Sequence, residues 1–168
     1  MAFDRPKEFL KPIKTRWIVL SFLVAIAVEL LPLDMALASW VPDLTALLVL
    51  YWTLNQPRRF GIGWAFAVGL IADVASASVF GQHALAYSVS SYLILARQRQ
   101  VVMYNLGQQT LVVLVLLLVN QTLMVLARMT TGSLFAGWEY FIAPFVGAVF
   151  WPLLTNVLLI PQRRGTPG

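Results

Sequence analysis

The apolar runs of this chain are separated by short basic turns, and threading those runs back and forth puts eleven of the twelve Lys and Arg residues on one side. The runs are Trp17 to Leu33, Val41 to Leu54, Phe60 to Val79, His83 to Ala96, Leu106 to Ala127 and Trp138 to Ile160. Between and around them fall Arg5, Lys7, Lys11, Lys14 and Arg16, then Arg58 and Arg59, then Arg97 and Arg99, and finally Arg163 and Arg164. Only Arg128 falls opposite. Lys and Arg in short loops remain on the cytoplasmic side of a membrane, and one missed or extra crossing would scramble the split. The expectation is an all-α integral membrane protein, a six-transmembrane-helix bundle with both termini in the cytoplasm.

Composition agrees, with 60% hydrophobic and 11% charged residues against about 25% charged in an average soluble domain. The expected layout is a basic cytoplasmic arm over residues 1–16, a transmembrane domain over 17–160 and a short tail over 161–168. The Ala36-Leu37-Ala38 string looks like a signal-peptidase site, but the preceding run exceeds a signal core and more spans follow, so it is read as a retained first span. Spans two and four are short for a bilayer of roughly 30 Å, which makes them thin-membrane or re-entrant segments; the charge split favours full crossings. Trp17, Trp40, Trp52, Trp138 and Tyr140 lie near run ends, where interfacial aromatics sit.

Ionisable residues within spans are costly, so each is a candidate for function. Glu29, near the end of span one, is read as snorkelling, and Asp43, beside Pro42, as a cap on span two. Gly61, Ala65 and Gly69 form a small-residue stripe that places Asp73 next along the same face, toward a neighbouring helix. A hydrogen-bonded carboxylate in a packing seam is the favoured reading, so that Asp73→Asn should be tolerated and Gly69→Leu should not. Ala143 and Gly147 repeat the idea in span six. Ser88, Ser91, Tyr92, Asn120 and Gln121 are expected to face protein and to bond across helices. Lys7, Lys11, Lys14 and Arg16 form a basic arm suited to anionic lipid headgroups.

Chemistry is harder to find. With no cysteine there is no thiolate nucleophile or Cys-based metal site, and His83 has no second His or Cys beside it. The Gly-x-Gly-Asp setting of an intramembrane aspartyl protease is missing before Asp73, and Gly61-x-Gly63 is no phosphate loop. The basic residues do not interleave with aromatics as on a nucleic-acid face. The reading is of no enzyme, no cofactor, no metal and no nucleic acid.

The strings WVPDLTALLVLYWTLNQP, from Trp40 to Pro57, Arg58-Arg59-Phe60-Gly61, and GLIADVASASVFGQHALAYSVSSYL, from Gly69 to Leu93, resemble the MreD family of bacterial rod shape-determining membrane proteins. So do Leu106-Gly107-Gln108-Gln109 and Trp151-Pro152-Leu153-Leu154 before Arg163-Arg164. Position by position, Pro42-Asp43, the Gly69 to Asp73 segment and Gly81-Gln82-His83 match the family pattern, while Arg97-Gln98-Arg99-Gln100 is less basic than expected there. The resemblance implies an inner-membrane component of the cell-elongation machinery that partners the coiled-coil protein MreC. With MreB, RodA and its penicillin-binding-protein partner, it would organise lateral peptidoglycan synthesis. It also implies a fold comparable to the six-helix substrate-binding subunits of vitamin transporters. A homodimer is compatible with the same seams. The competing reading is a solute-binding or transport subunit whose outward pocket is lined by Glu29, Asp43 and Asp73. Whether those carboxylates converge on a cavity or serve as caps discriminates the two.

Overall fold

The computed structural model describes residues 14–32, 40–134 and 137–163, and among these it is helical throughout, with no strand. In chain order the helices are α1 (Thr15–Glu29), α2 (Leu44–Asn55), α3 (Ile62–Ala75), α4 (Gln82–Ala96), α5 (Gln98–Met103), α6 (Leu106–Thr130) and α7 (Ile142–Arg163). A 3₁₀ turn, Trp138–Phe141, leads into α7. Lys7, Lys11 and the Ala36-Leu37-Ala38 string lie outside the described residues.

The apolar pattern of α2 runs right round the helix, as expected of an element enclosed on every side. Every residue from Thr45 to Leu54 is buried. The helix packs against α1, α4, α6 and α7, and its Tyr51 meets Trp151 of α7 with ring centroids 6.2 Å apart. Trp52 is therefore a core residue and not an interfacial anchor; its Nε1 donates to Ser21 Oγ of α1 at 3.0 Å. Twelve residues give α2 a length of about 18 Å, short of the hydrocarbon thickness. Its far end is closed by α5, an element that the sequence reading treats as loop: Gln98 Nε2 donates to the Leu54 carbonyl at 3.0 Å.

The outer faces of the long helices carry large apolar side chains, among them Leu23 and Val24 on α1, Val74 on α3, Leu111 on α6 and Val149 on α7. Such a surface calls for lipid or a partner. Two stretches, Leu106–Thr130 and Trp138–Leu159, are long and apolar enough to cross a bilayer on their own.

Two ends fall short of their apolar runs. The first helix stops at Glu29, not Leu33. The third stops at Ala75, not Val79, because a Schellman turn ends it: the Ser78 amide donates to the Asp73 carbonyl at 3.1 Å, with Ala77 in the left-handed region at φ 49°. That position usually holds glycine, so the sequence carries no visible stop signal there.

Candidate functional site

Polar residues collect at the end of the bundle where α2 and α4 begin. A helix start leaves backbone N–H groups without intrahelical acceptors, and a carboxylate there gains both hydrogen bonds and the helix dipole. All three candidate carboxylates occupy such places. Asp43 is the N-cap of α2: its Oδ1 accepts from the Ala46 amide at 2.6 Å, and both its oxygens accept from the Tyr87 hydroxyl at 2.9 Å. Glu29 does not snorkel. From the end of α1 it reaches the same helix start, its Oε1 accepting from the Thr45 amide and its Oε2 from Thr45 Oγ1, both at 2.8 Å.

Asp73, on α3, caps α4 from outside. Its Oδ2 accepts from the Gly81 amide at 2.8 Å, and its Oδ1 from the His83 amide at 2.9 Å and Ser78 Oγ at 3.1 Å. His83 Nδ1 stands 2.8 Å from the same Oδ1. Gly81 sits at φ 94°, a conformation that leaves its amide free to face the carboxylate and that a side chain would strain. Both carboxylate oxygens are thus acceptors for backbone donors. An asparagine would turn an NH₂ group onto one set of them, so the geometry predicts a cost for Asp73→Asn where the sequence alone suggests tolerance.

The stripe beneath Asp73 is only partly a seam. Ala65 and Gly69 are buried, and a Cβ on Gly69 would lie 2.5 Å from the Ala84 amide nitrogen and 2.7 Å from the His83 carbonyl carbon. Helices α3 and α4 touch backbone to backbone at this point. Gly61 has nothing within 4 Å of such an atom and is simply the N-cap of α3. On α7, a Cβ at Gly147 would stand 2.9 Å from Leu117 Cδ1 and 3.2 Å from Pro42 Cβ, so Pro42 and Gly147 meet across the bundle. Ala143 is buried one turn earlier on the same helix.

Around the carboxylates runs a wider polar layer. Arg128 Nε donates to Gln82 Oε1 at 3.2 Å, and its guanidinium lies 5.1 Å from the centre of the Tyr140 ring. Gln121 Nε2 donates to the Tyr140 carbonyl at 3.0 Å. Asn120 is buried with its Oδ1 lacking a partner. Ser91 meets Thr53 at 3.3 Å across α4 and α2, whereas Ser88 bonds back to its own helix and Tyr92 is exposed, contrary to the cross-helix role expected of both. Thr45, Tyr87 and His83 are the members that the sequence reading did not assign. Lys14 and Arg16 are exposed at the start of α1, at the opposite end.

A hydrolytic triad needs its nucleophile on the imidazole nitrogen opposite the carboxylate. Here Ser78 Oγ, at 3.4 Å, and Asp73 both face Nδ1 of His83, which makes the trio a structural knot. Nor, among the described residues, does either of two hollows, one lined by Phe22 with Trp64 and the other by Asp43 with Asn120, bring two of the three carboxylates together. An apolar groove of about 520 Å³ runs between α1 and α3, lined by residues such as Phe22, Leu23, Trp64 and Ile71 with Arg59 among them. Of the three acids, Asp43 alone borders a hollow described at the polar end, and that one measures about 10 Å³.

The family model described as rod shape-determining protein MreD matches residues 11–159. The rod shape-determining protein MreD of Haemophilus influenzae is 30% identical over 143 residues, covering 85% of this chain and 88% of that protein. No solved structure matches.

Proposed function

The chain belongs to the MreD family, and on that premise we propose that it acts without catalysis, as a six-span assembly protein of the bacterial inner membrane that binds MreC. Family membership gives it a role in determining rod shape. In the proposed reading its helices carry MreC and, directly or through MreC, bring MreB, RodA and the penicillin-binding partner of RodA to sites of lateral peptidoglycan synthesis. Both termini lie in the cytoplasm, and the basic arm holds anionic lipid headgroups. The six spans take an arrangement similar to the substrate-binding subunits of vitamin transporters.

The observation that carries this reading is the use of the three acids. Glu29, Asp43 and Asp73 each accept backbone N–H groups at a helix start. Groups committed in this way hold helices in place and are poorly available to a transported solute. The apolar outer faces supply the surface that a partner's membrane helix would need.

A mild-detergent pull-down of the tagged protein from its native membrane, with copurifying proteins quantified by mass spectrometry, tests the proposal. Stoichiometric recovery of a single-span coiled-coil protein is expected. Recovery alone, or with an ATPase module, would refute it in favour of a transport subunit.

A further inference from the structure

The hollow of about 10 Å³ at the polar end lies where α2, α6 and α7 meet, and it is lined by Asp43, Leu117, Asn120, Gln121, Ala143 and Pro144. Half of these residues present acceptors. The Asp43 carboxylate can only accept. Asn120, 2% exposed, brings an Oδ1 with no hydrogen-bond partner. Gln121 gives its Nε2 to the Tyr140 carbonyl, which leaves Oε1 as its acceptor. Acceptors cannot satisfy one another, and a buried acceptor left without a donor is costly. Whatever sits among them must donate or carry positive charge.

Charge points to the second. Asp43 receives the Ala46 amide and the Tyr87 hydroxyl, and Glu29 receives the Thr45 amide and hydroxyl together with the Leu44 amide. Neither acid has a cationic partner among the described residues. Two carboxylates meet at one helix start, whose dipole offers roughly half a positive charge. Arg128, the basic residue at this end, is turned to Gln82 and Tyr140.

We propose that the hollow binds one monovalent cation of about sodium's size, held by the oxygens of Asp43, Asn120 and Gln121. Hard cations select carboxylate and carbonyl oxygens. Calcium takes 6–8 oxygens and magnesium keeps several waters; a hollow this small has room for about one water-sized body. The bound ion joins the start of α2 to α6 and α7, beside the contact of Pro42 with Gly147.

The test uses the purified full chain in detergent, comparing sodium chloride with choline chloride at equal ionic strength. Sodium should raise the melting temperature in a saturable manner, and radioactive sodium should bind at one per chain. Asn120→Leu removes one ligand and Ala143→Val fills the hollow without touching a charge; each should abolish the sodium response, while the exposed-site control Glu139→Gln keeps it. Should either variant fail to fold, the other carries the comparison, and sodium binding to the parent chain stands independently of both. Absence of sodium binding by the parent, or a sodium response that persists in a folded Asn120→Leu or Ala143→Val protein, overturns the proposal and leaves a water in the hollow.

Discussion

A single methyl group added at Gly69 should loosen the whole polar end of the bundle. The Cβ of Gly69→Ala would stand 2.5 Å from the Ala84 amide nitrogen and 2.7 Å from the His83 carbonyl carbon. Carbon contacts settle at about 3.5–4.0 Å, so α4 must retreat locally by roughly 1 Å, and backbone atoms cannot swing aside as a side-chain tip can. One turn further along α3, Asp73 holds the Gly81 and His83 amides at 2.8 and 2.9 Å. A retreat of that size takes both bonds out of the useful range, which ends near 3.2 Å. Overpacking costs about 1–3 kcal/mol, and each weakened bond to a charged group adds up to about 1.5–3 kcal/mol. Helix propensity returns about 1 kcal/mol. With both bonds lost, the net expectation is a loss of about 3–8 kcal/mol. Reversible unfolding in mixed detergent micelles measures it, with Gly63→Ala as control, because nothing lies within 4 Å of a Cβ there. The control should be neutral or up to about 1 kcal/mol more stable. Equal stability of Gly69→Ala and the parent, or equal damage from both substitutions, would refute the claim of backbone contact.

Asp73→Asn should cost about 1.5–3 kcal/mol in the same assay, since the amide sets donor against donor at the start of α4. Ala77→Gly should stabilise the protein by about 1 kcal/mol, because an alanine in the left-handed region is strained and this one is exposed; a lower melting temperature would contradict the Schellman turn. Gly147→Ala displaces chiefly the flexible Leu117 Cδ1 and should cost less than about 1 kcal/mol, whereas Gly147→Leu also collides with Pro42 and should cost several times as much on a thermal melt.

The local signals in the sequence were the reliable ones. Asp43 could be read as a cap because a proline and an acid stand immediately before an apolar run, and the structure has it accepting from Ala46. The close approach at Gly69 was legible for the same kind of reason, since small residues at helical spacing imply a near neighbour. What could not be read was the partner in each long-range contact. Glu29 finds Thr45 only because α1 packs against α2 with its end at that helix start. Asp73 finds Gly81 and His83 only because the turn after Ala75 folds back, through an alanine that gives no turn signal. Hydropathy overran the helix ends at Glu29 and Ala75 since it reports the solvent a residue prefers and not where its backbone bonds stop. The short α5 was missed for the opposite reason: Gln98 to Met103 is too short and too polar at its start to show a period.

The central claim is that the three acids hold helix starts together and act on cell shape only through the folded bundle. It is tested most directly in rod-shaped cells whose own copy has been replaced, by plotting cell width against the amount of folded protein for Glu29→Gln, Asp43→Asn and Asp73→Asn. All three variants and a series of reduced parent expression should fall on one curve, with shape lost only as folded protein is lost. A variant present at the parental level in cells that have become round would contradict the claim and place a direct function on that carboxylate.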